Sequence, residues 1–328
     1  MAGGKKQSNV SSKLKWQNYQ GKKGQGAGRK PVSEQATVKQ VTLLLFMHIC
    51  RKIVLIKPDL KVSIYFGALM FGSLVCDFIP MPRSYMARKD NVFNKYFVKL
   101  GWGWTLCVVG TFVFLTSWTY CCGNAVRVRK HLSRVLIGTV AWYCWTTLFV
   151  FVETWTGSCT SDRYSTRLSC LRHGHRWTGF DISGHAFLLV YSNLFLMEEA
   201  KCIRGWERIG ELIRNEEFDE DSPLRKLEER ELSNLKNSYE KYTVFIKALF
   251  IFMTGLYILW DVMLIGTILY FHTMVQKVAG GIIAVLTWFF TYRVWYHAES
   301  SPGLPGQGPF KYSELQRIPR IFNPADIQ

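Results

Sequence analysis

The chain has 328 residues, 48% of them hydrophobic and 15% aromatic, with 41 Lys and Arg against 24 Asp and Glu for a net charge of +17. So apolar a chain carrying this many charges excludes a simple soluble domain and requires the charges to be segregated from the apolar residues. The basic excess is not joined by any nucleic-acid-binding signature, so no nucleic-acid partner is expected.

Residues 1–40 are rich in Gly, Lys, Ser and Gln and poor in aromatics, the composition of a disordered basic cytosolic tail. With no apolar core near the start, no cleavable signal peptide is expected. The run VTLLLFMHIC at 41–50 is short and is followed at once by Arg51 and Lys52. Segment 41–61 therefore reads as an interfacial helix. Apolar runs follow at about 62–80, 98–118, 134–152, 182–199, 243–267 and 278–296, each near the roughly 20 residues that cross a bilayer. They predict an all-α polytopic membrane protein with six transmembrane helices occupying 62–298. The loop at about 200–242 mixes both charge signs with spaced Ile, Leu and Tyr, which predicts a solvated helical linker broken at Ser222-Pro223. From 299 to 328 Pro and Gly predict an irregular cytosolic tail.

Loop charge sets the orientation. Lys and Arg number 13 in the tail through residue 61, 9 in loop 200–242, and 4 in each of the loops 81–97 and 153–180. An even number of spans with this bias places both termini in the cytosol. Loops 81–97 and 153–180, and the turn near residue 272, then lie on the opposite, lumenal side.

Among nine cysteines, Cys159 and Cys170 share the lumenal loop. An oxidising compartment permits a bridge between them. Free thiols, or a zinc site completed by His173 and His175, are the other readings of CLRHGH.

Ionisable groups within or beside a span are costly and mark functional candidates. His185 lies one turn inside the fourth span, His272 ends the fifth, and Asp261 sits within the fifth. The topology brings the two histidines to similar depth on one face although 87 residues separate them. Paired imidazoles can divide a phosphoryl transfer, one attacking phosphorus and the other protonating the departing oxygen and then activating water. Histidine suits both roles because its ordinary pKa is about 6.5. Around them, Gly179 and Gly184 let backbone N–H groups approach an anion, and Ser183 can donate to a phosphate oxygen. Asp181 is read either as the cap of the fourth span, the preferred role, or as a group orienting a histidine. Asp261 is read either as a buried structural partner, the preferred role, or as a site residue.

GFDISGHAFLLVYSNLFLMEE at 179–199 carries a resemblance, joined by PMPRSYMARKDNVFNKYFVKLGWGWT at 80–105, ETWTGSC at 153–159, YFHTMVQKVAG at 270–280 and SPGLP at 301–305. Together these resemble the fat storage-inducing transmembrane (FIT) family of endoplasmic reticulum proteins, which is similar to the type 2 phosphatidic acid phosphatases. The resemblance implies a six-span endoplasmic reticulum protein with its active site facing the lumen. It further implies hydrolysis of the diphosphate of fatty acyl-CoA to acyl 4′-phosphopantetheine and adenosine 3′,5′-bisphosphate, in support of lipid droplet formation. Ser183-Gly184-His185 would correspond to the phosphatases' Ser-Gly-His element, with His185 as general acid, and His272 to their nucleophile. Arg83, Arg88, Lys89, Lys95 and Lys99 are candidate phosphate contacts. No metal and no cofactor is implied, and the expected partners are fatty acyl-CoA, the endoplasmic reticulum membrane and the neutral lipids triacylglycerol and diacylglycerol. A non-enzymatic triacylglycerol- or diacylglycerol-binding role in partitioning neutral lipid stands as the alternative. Two positions depart from the phosphatase pattern: Gly266 stands where an arginine precedes the nucleophile, and Gln276 where an aspartate follows it.

Overall fold

The computed structural model describes residues 38–79, 82, 84–88, 90–217 and 219–312. The predicted basic tail lies almost wholly outside them, as do Arg83, Lys89 and the end of the C-terminal tail. The described chain is almost entirely helical. Its strands are β1 (Ser158–Cys159) and β2 (Trp177–Thr178), paired antiparallel with Cys159 opposite Trp177.

Helix α1 (Val38–Val54) buries Met47, Cys50 and Val54 and exposes Leu44, Leu45, Phe46 and Ile49. The buried residues form one stripe along the helix. It ends earlier than the interfacial segment read from the sequence. The break falls at Leu55–Lys57, and Pro58, which suits the first helical position, opens α2 (Pro58–Gly67). From there the helix continues through a π-helical stretch, Ala68–Gly72, into α3 (Ser73–Phe78). Helices α4 (Gly101–Tyr120) and α5 (Ala125–Trp155) form a hairpin, α5 being capped by Asn124, whose side chain accepts from the N–H groups of Val126 and Arg127. The short α6 (Arg167–Arg172) lies between the two strands. The remaining helices are α7 (Gly184–Glu199), α8 (Trp206–Asn215), α9 (Glu229–Tyr270) and α10 (Met274–Phe289).

Four stretches are long and apolar enough to cross a bilayer: Pro58–Phe78, Ala125–Trp155, Glu229–Tyr270 and Met274–His297. Helices α4 and α7, which match two of the six predicted spans, are not among them. For α7 the reason is its place in the bundle. It has 16 residues, and all from Ala186 to Glu199 are buried. A helix ringed by others has no lipid face to keep apolar, so it tolerates Ser192, Asn193, Glu198 and Glu199.

Aromatic rings bind α7 to its neighbours. Trp102 of α4 stacks on Trp142 of α5 at 6.0 Å and on Tyr191 of α7 at 5.6 Å, and Tyr191 stacks on Phe187 at 5.5 Å. Such offset stacks add about 0.5–1.5 kcal/mol each beyond the area they bury. The 42 residues of α9 extend about 63 Å at 1.5 Å per residue. That is twice the bilayer core, so its charged N-terminal part, ERELSNLKNSYEKY, projects beyond any span.

The loop at 200–242 departs from the solvated linker expected of it. Trp206, Ile209 and Leu224 are fully buried, Trp206 Nε1 donates to Thr243, and Glu207 pairs with Arg51 of α1 at 2.6 Å. The break at Ser222-Pro223 is present, with the Ser222 side chain accepting from the N–H of Leu224. The described part of the C-terminal tail is irregular but fixed: Phe310 and Tyr312 are buried, and Tyr312 donates to the Cys202 carbonyl.

A close backbone approach joins α7 and α10. A Cβ on Gly280 would stand 2.5 Å from the Ser183 carbonyl oxygen and 3.2 Å from the Phe187 nitrogen. Neither backbone atom can yield without moving a helix. Replacing Gly280 by Ala is therefore expected to force α7 and α10 apart and to cost about 1–3 kcal/mol. Thermal unfolding of the purified variant in detergent would register this as a lowered Tm, and an unchanged Tm would contradict the packing.

Candidate active site

Two short segments meet where α7 and α10 begin. Gly179 to Ser183 lead into α7, and Phe271 to Thr273 join α9 to α10. The Ser183 N–H donates to the Gln276 carbonyl at 3.1 Å, stitching the two together.

The cap of α7 is Ser183, contrary to the preferred reading of Asp181. Its Oγ accepts from the Ala186 N–H at 3.2 Å, and the residue is fully buried. That oxygen serves the helix end as an acceptor, and the hydroxyl keeps its own proton for donation. Asp181, freed from capping, carries its carboxylate to 3.5 Å from His272 Nδ1 and is half exposed. Gly184 has nothing within 4 Å of where a Cβ would stand, so the space beside the first residue of α7 is open.

His185, the second residue of α7, lies within electrostatic reach of His272, Asp181 and Lys99. Its ring is 6.4 Å from that of Phe271, the neighbour of His272. The structure thus brings together the two histidines that the topology alone placed at one depth. A void of about 10 Å³ beside His185 is lined by Met86, Asn94, Val98, Met263, Gly266, Thr267 and Phe271.

His272 has φ of 56°, in the left-handed region that non-glycine residues rarely enter. Two long helices meeting through a three-residue turn force it there. After it, Thr273 starts α10 with a capping box in which the Gln276 side chain accepts from the Thr273 N–H at 3.0 Å. Strain of this kind is held in place by its surroundings and concentrates at functional sites.

Of the candidate cations, Lys99 is the one near His185. Arg88 and Lys95 are exposed on the same segment, and among the described residues no hydrogen bond or ion pair joins either to a histidine. Arg83 and Lys89 lie outside the described residues.

Cys159 and Cys170 are bridged, with sulfurs 1.97 Å apart. This removes the zinc reading, since neither thiolate is left to ligate. The bridge closes a small hairpin based on β1 and β2, and Trp177 Nε1 donates to the Glu153 carbonyl at the end of α5. Gly179 packs so tightly there that a Cβ would fall 2.2 Å from the same oxygen. The hairpin therefore feeds directly into the segment bearing Asp181.

Sequence reasoning missed several supporting residues. Asn91 accepts from the Asn94 N–H at 2.7 Å and donates to the carbonyls of Met86 and Arg88, folding segment 84–98 beside His185. Asp77 accepts from the Met274 N–H at 2.9 Å, and the buried Lys277 amine donates to the Ile268 carbonyl at 2.7 Å, so both ends of the His272 turn are tied. Asp77 within one apolar run and Lys277 at the edge of another were the available signal. Asp261 is structural, as expected: it pairs with Lys61 at 2.6 Å and accepts from Tyr65 and Asn193 at 2.8 Å each.

An apolar helical bundle with several membrane-crossing stretches marks a multi-pass membrane protein, and two imidazoles and a carboxylate meet where its central helix begins as a candidate site. The family model described as "Fat storage-inducing transmembrane protein" matches residues 82–163 and 150–292. The acyl-coenzyme A diphosphatase FITM2 of Drosophila melanogaster is 45% identical over 310 residues, covering 90% of this chain and 73% of its own length. The proteins of the same name from Xenopus laevis and Homo sapiens are 37% identical over 265 residues and 34% identical over 249. They cover 77% and 74% of this chain and 87% and 84% of their own lengths. No solved structure matches. The chain belongs to the fat storage-inducing transmembrane protein family.

Two predictions follow from this geometry. Because a Cβ is what makes φ near 56° unfavourable, His272→Gly should be more stable than His272→Ala by about 1 kcal/mol. Equal or reversed melting temperatures would deny the strained turn. Denatured protein should show two further maleimide-reactive thiols after reduction, and Cys159→Ser with Cys170→Ser should abolish that difference. A difference that survives the double substitution would place the bridge elsewhere.

Proposed function

We propose that the protein is a diphosphatase of the endoplasmic reticulum membrane that hydrolyses the diphosphate of fatty acyl-CoA, giving acyl 4′-phosphopantetheine and adenosine 3′,5′-bisphosphate. The observation that carries this reading is the convergence of His185, His272 and Asp181 at one end of the bundle, in a family whose relatives bear the name acyl-coenzyme A diphosphatase.

The chemistry divides between the imidazoles. Asp181 beside Nδ1 of His272 holds the proton on that nitrogen and leaves Nε2 with a free lone pair. Nε2 attacks one phosphorus of the diphosphate, and the bond to the bridging oxygen breaks. His185 gives its proton to that departing oxygen. It then takes a proton from water, whose oxygen attacks the phosphohistidine and returns His272 to its starting form. Lys99 and the open backbone at Gly184 receive the phosphoryl charge. The acyl chain lies among the apolar helices.

Six spans accommodate this best. Helices α4 and α7 complete the four long apolar stretches, both termini lie in the cytosol, and the site faces the lumen. The loop charges support that orientation, and so does a disulfide on the same side as the histidines. Triacylglycerol and diacylglycerol are further partners in this reading, which supports lipid droplet formation. In sealed microsomes, protease should remove tags at either terminus and spare one in the 158–178 hairpin; the reverse pattern would overturn the orientation.

The enzymatic reading is tested with purified protein and oleoyl-CoA. His185→Ala and His272→Ala should lower turnover by at least about a thousandfold, the order lost when a catalytic acid or nucleophile is removed. Asp181→Asn should cost about tenfold, mostly in kcat. Gly184→Ala meets no protein atom, so it should fold normally and lower kcat/KM by crowding the phosphate. Full activity in both histidine variants would refute the assignment.

A further inference from the structure

The disulfide-closed hairpin is the feature that this chemistry leaves unused. Residues 158–178 hold four arginines, Arg163, Arg167, Arg172 and Arg176, against one carboxylate, Asp162. Arg167 is taken up by Glu153 at 3.0 Å. Among the described residues, no carboxylate pairs with Arg163, Arg172 or Arg176, and all three are exposed. Within the same hairpin Tyr164 stacks on His173 at 4.3 Å with planes 16° apart, and lies 5.4 Å from His175. Aromatic rings and unpaired guanidinium groups thus share one small platform.

Its shape is fixed independently of any ligand. The bridge joins Cys159 to Cys170, and Arg176 exchanges two hydrogen bonds with Thr160. Trp177 is tied to Glu153, and the Phe180 N–H donates to Thr156. From this base the chain runs straight into the site. Arg176 is five residues before Asp181, so at most about 17 Å of chain separates them. The platform stands at the same end of the bundle as His185 and His272.

We propose that this hairpin binds the 3′-phosphoadenosine part of the substrate, a proposal that rests on the acyl-CoA reading above. The complementarity is chemical. That part of acyl-CoA is a purine carrying a phosphate monoester, and it leaves as adenosine 3′,5′-bisphosphate. Planar guanidinium groups match phosphate with paired hydrogen bonds, and flat imidazole and phenol rings match a purine face. Lys99 lies near His185 and serves the diphosphate, whereas the hairpin takes the charge beyond it. It follows that nucleotide-bearing lipids are preferred over simple lipid phosphates that end at the scissile group.

The test separates binding from turnover. Full-length protein in detergent is titrated with adenosine 3′,5′-bisphosphate, and with inorganic pyrophosphate for comparison, by isothermal titration calorimetry. The bisphosphate should bind more tightly than pyrophosphate. Arg172→Ala with Arg176→Ala, both exposed and outside the core, should weaken its binding at least about tenfold, the loss expected for one charge-assisted hydrogen bond. The same variant should raise KM for oleoyl-CoA by a similar factor with kcat largely kept. Unaltered bisphosphate binding in the double variant, or no binding to the wild type, overturns the proposal. Failure of the wild type to hydrolyse oleoyl-CoA while still binding the bisphosphate through these arginines would instead count against the diphosphatase reading alone.

Discussion

The contact on which the rest of the site depends is the approach of α10 to the start of α7. Gly280 lets the Ser183 carbonyl come within a distance that no side chain would permit, and the Ser183 N–H then reaches the Gln276 carbonyl. These two backbone features set the separation of GFDISGH from YFHTMVQK. Neither histidine touches the contact. Both inherit their positions from it, because each lies within about two turns of the crossing and each helix is rigid at that scale.

The interior below this contact holds networks of paired polar groups, although Ser192 Oγ, Asn193 Oδ1 and the Tyr257 hydroxyl find no partner there among the described residues. Lys61, Tyr65, Asn193 and Asp261 join α2, α7 and α9 in one network. Farther along, Arg134 grips Glu199 through two bonds of 2.7 and 2.8 Å, Tyr292 donates to the same carboxylate at 2.6 Å, and both charged side chains are 1% exposed. Removing one member of such a pair strands the other in a medium that cannot solvate it, a loss of about 3–5 kcal/mol. Arg134 also reaches the Gly303 carbonyl, and His131, 2.6 Å away, reaches that of Gln307. The SPGLP segment is thereby anchored to the far end of α7. Since α7 rises about 1.5 Å per residue, this anchor stands about 20 Å from His185, which makes it a fastening of the bundle rather than part of the chemistry.

How much of this was legible in the sequence depended on whether the signal was local. The long apolar runs, the break at Ser222-Pro223 and the pairing of Cys159 with Cys170 rest on patterns that a window of residues contains, and the helices and the bridge are there. The convergence of His185 and His272 was legible from topology, since counting spans assigns depth. What escaped was everything decided by partners distant in the chain. Nothing near Trp206 shows that Thr243 waits for its indole, and nothing near Lys277 shows that it will hold the Ile268 carbonyl. The cap of α7 was misread for a related reason. Asp181 and Ser183 are both good caps two residues apart, and local propensity does not choose between them. The choice was made by α10, which fixes the Ser183 backbone at the helix start and leaves Asp181 one step outside.

That displacement bears on one of the departures from the phosphatase pattern. In the phosphatases that the family resembles, an aspartate follows the nucleophile by four residues, and here Gln276 stands at that position. Gln276 is occupied: its side chain caps Thr273 and its carbonyl receives Ser183. The carboxylate near His272 arrives from the other segment instead, at 3.5 Å from Nδ1. If the carboxylate came from α10, the turn at His272 would need no particular relation to the loop before α7. With Asp181 in that place, the carboxylate beside His272 belongs to the same loop that leads into His185, and the turn at 272 is left-handed. Under the proposed chemistry, the nucleophile and the acid are therefore set by one constraint, and a change that loosens the α7–α10 contact disturbs both together.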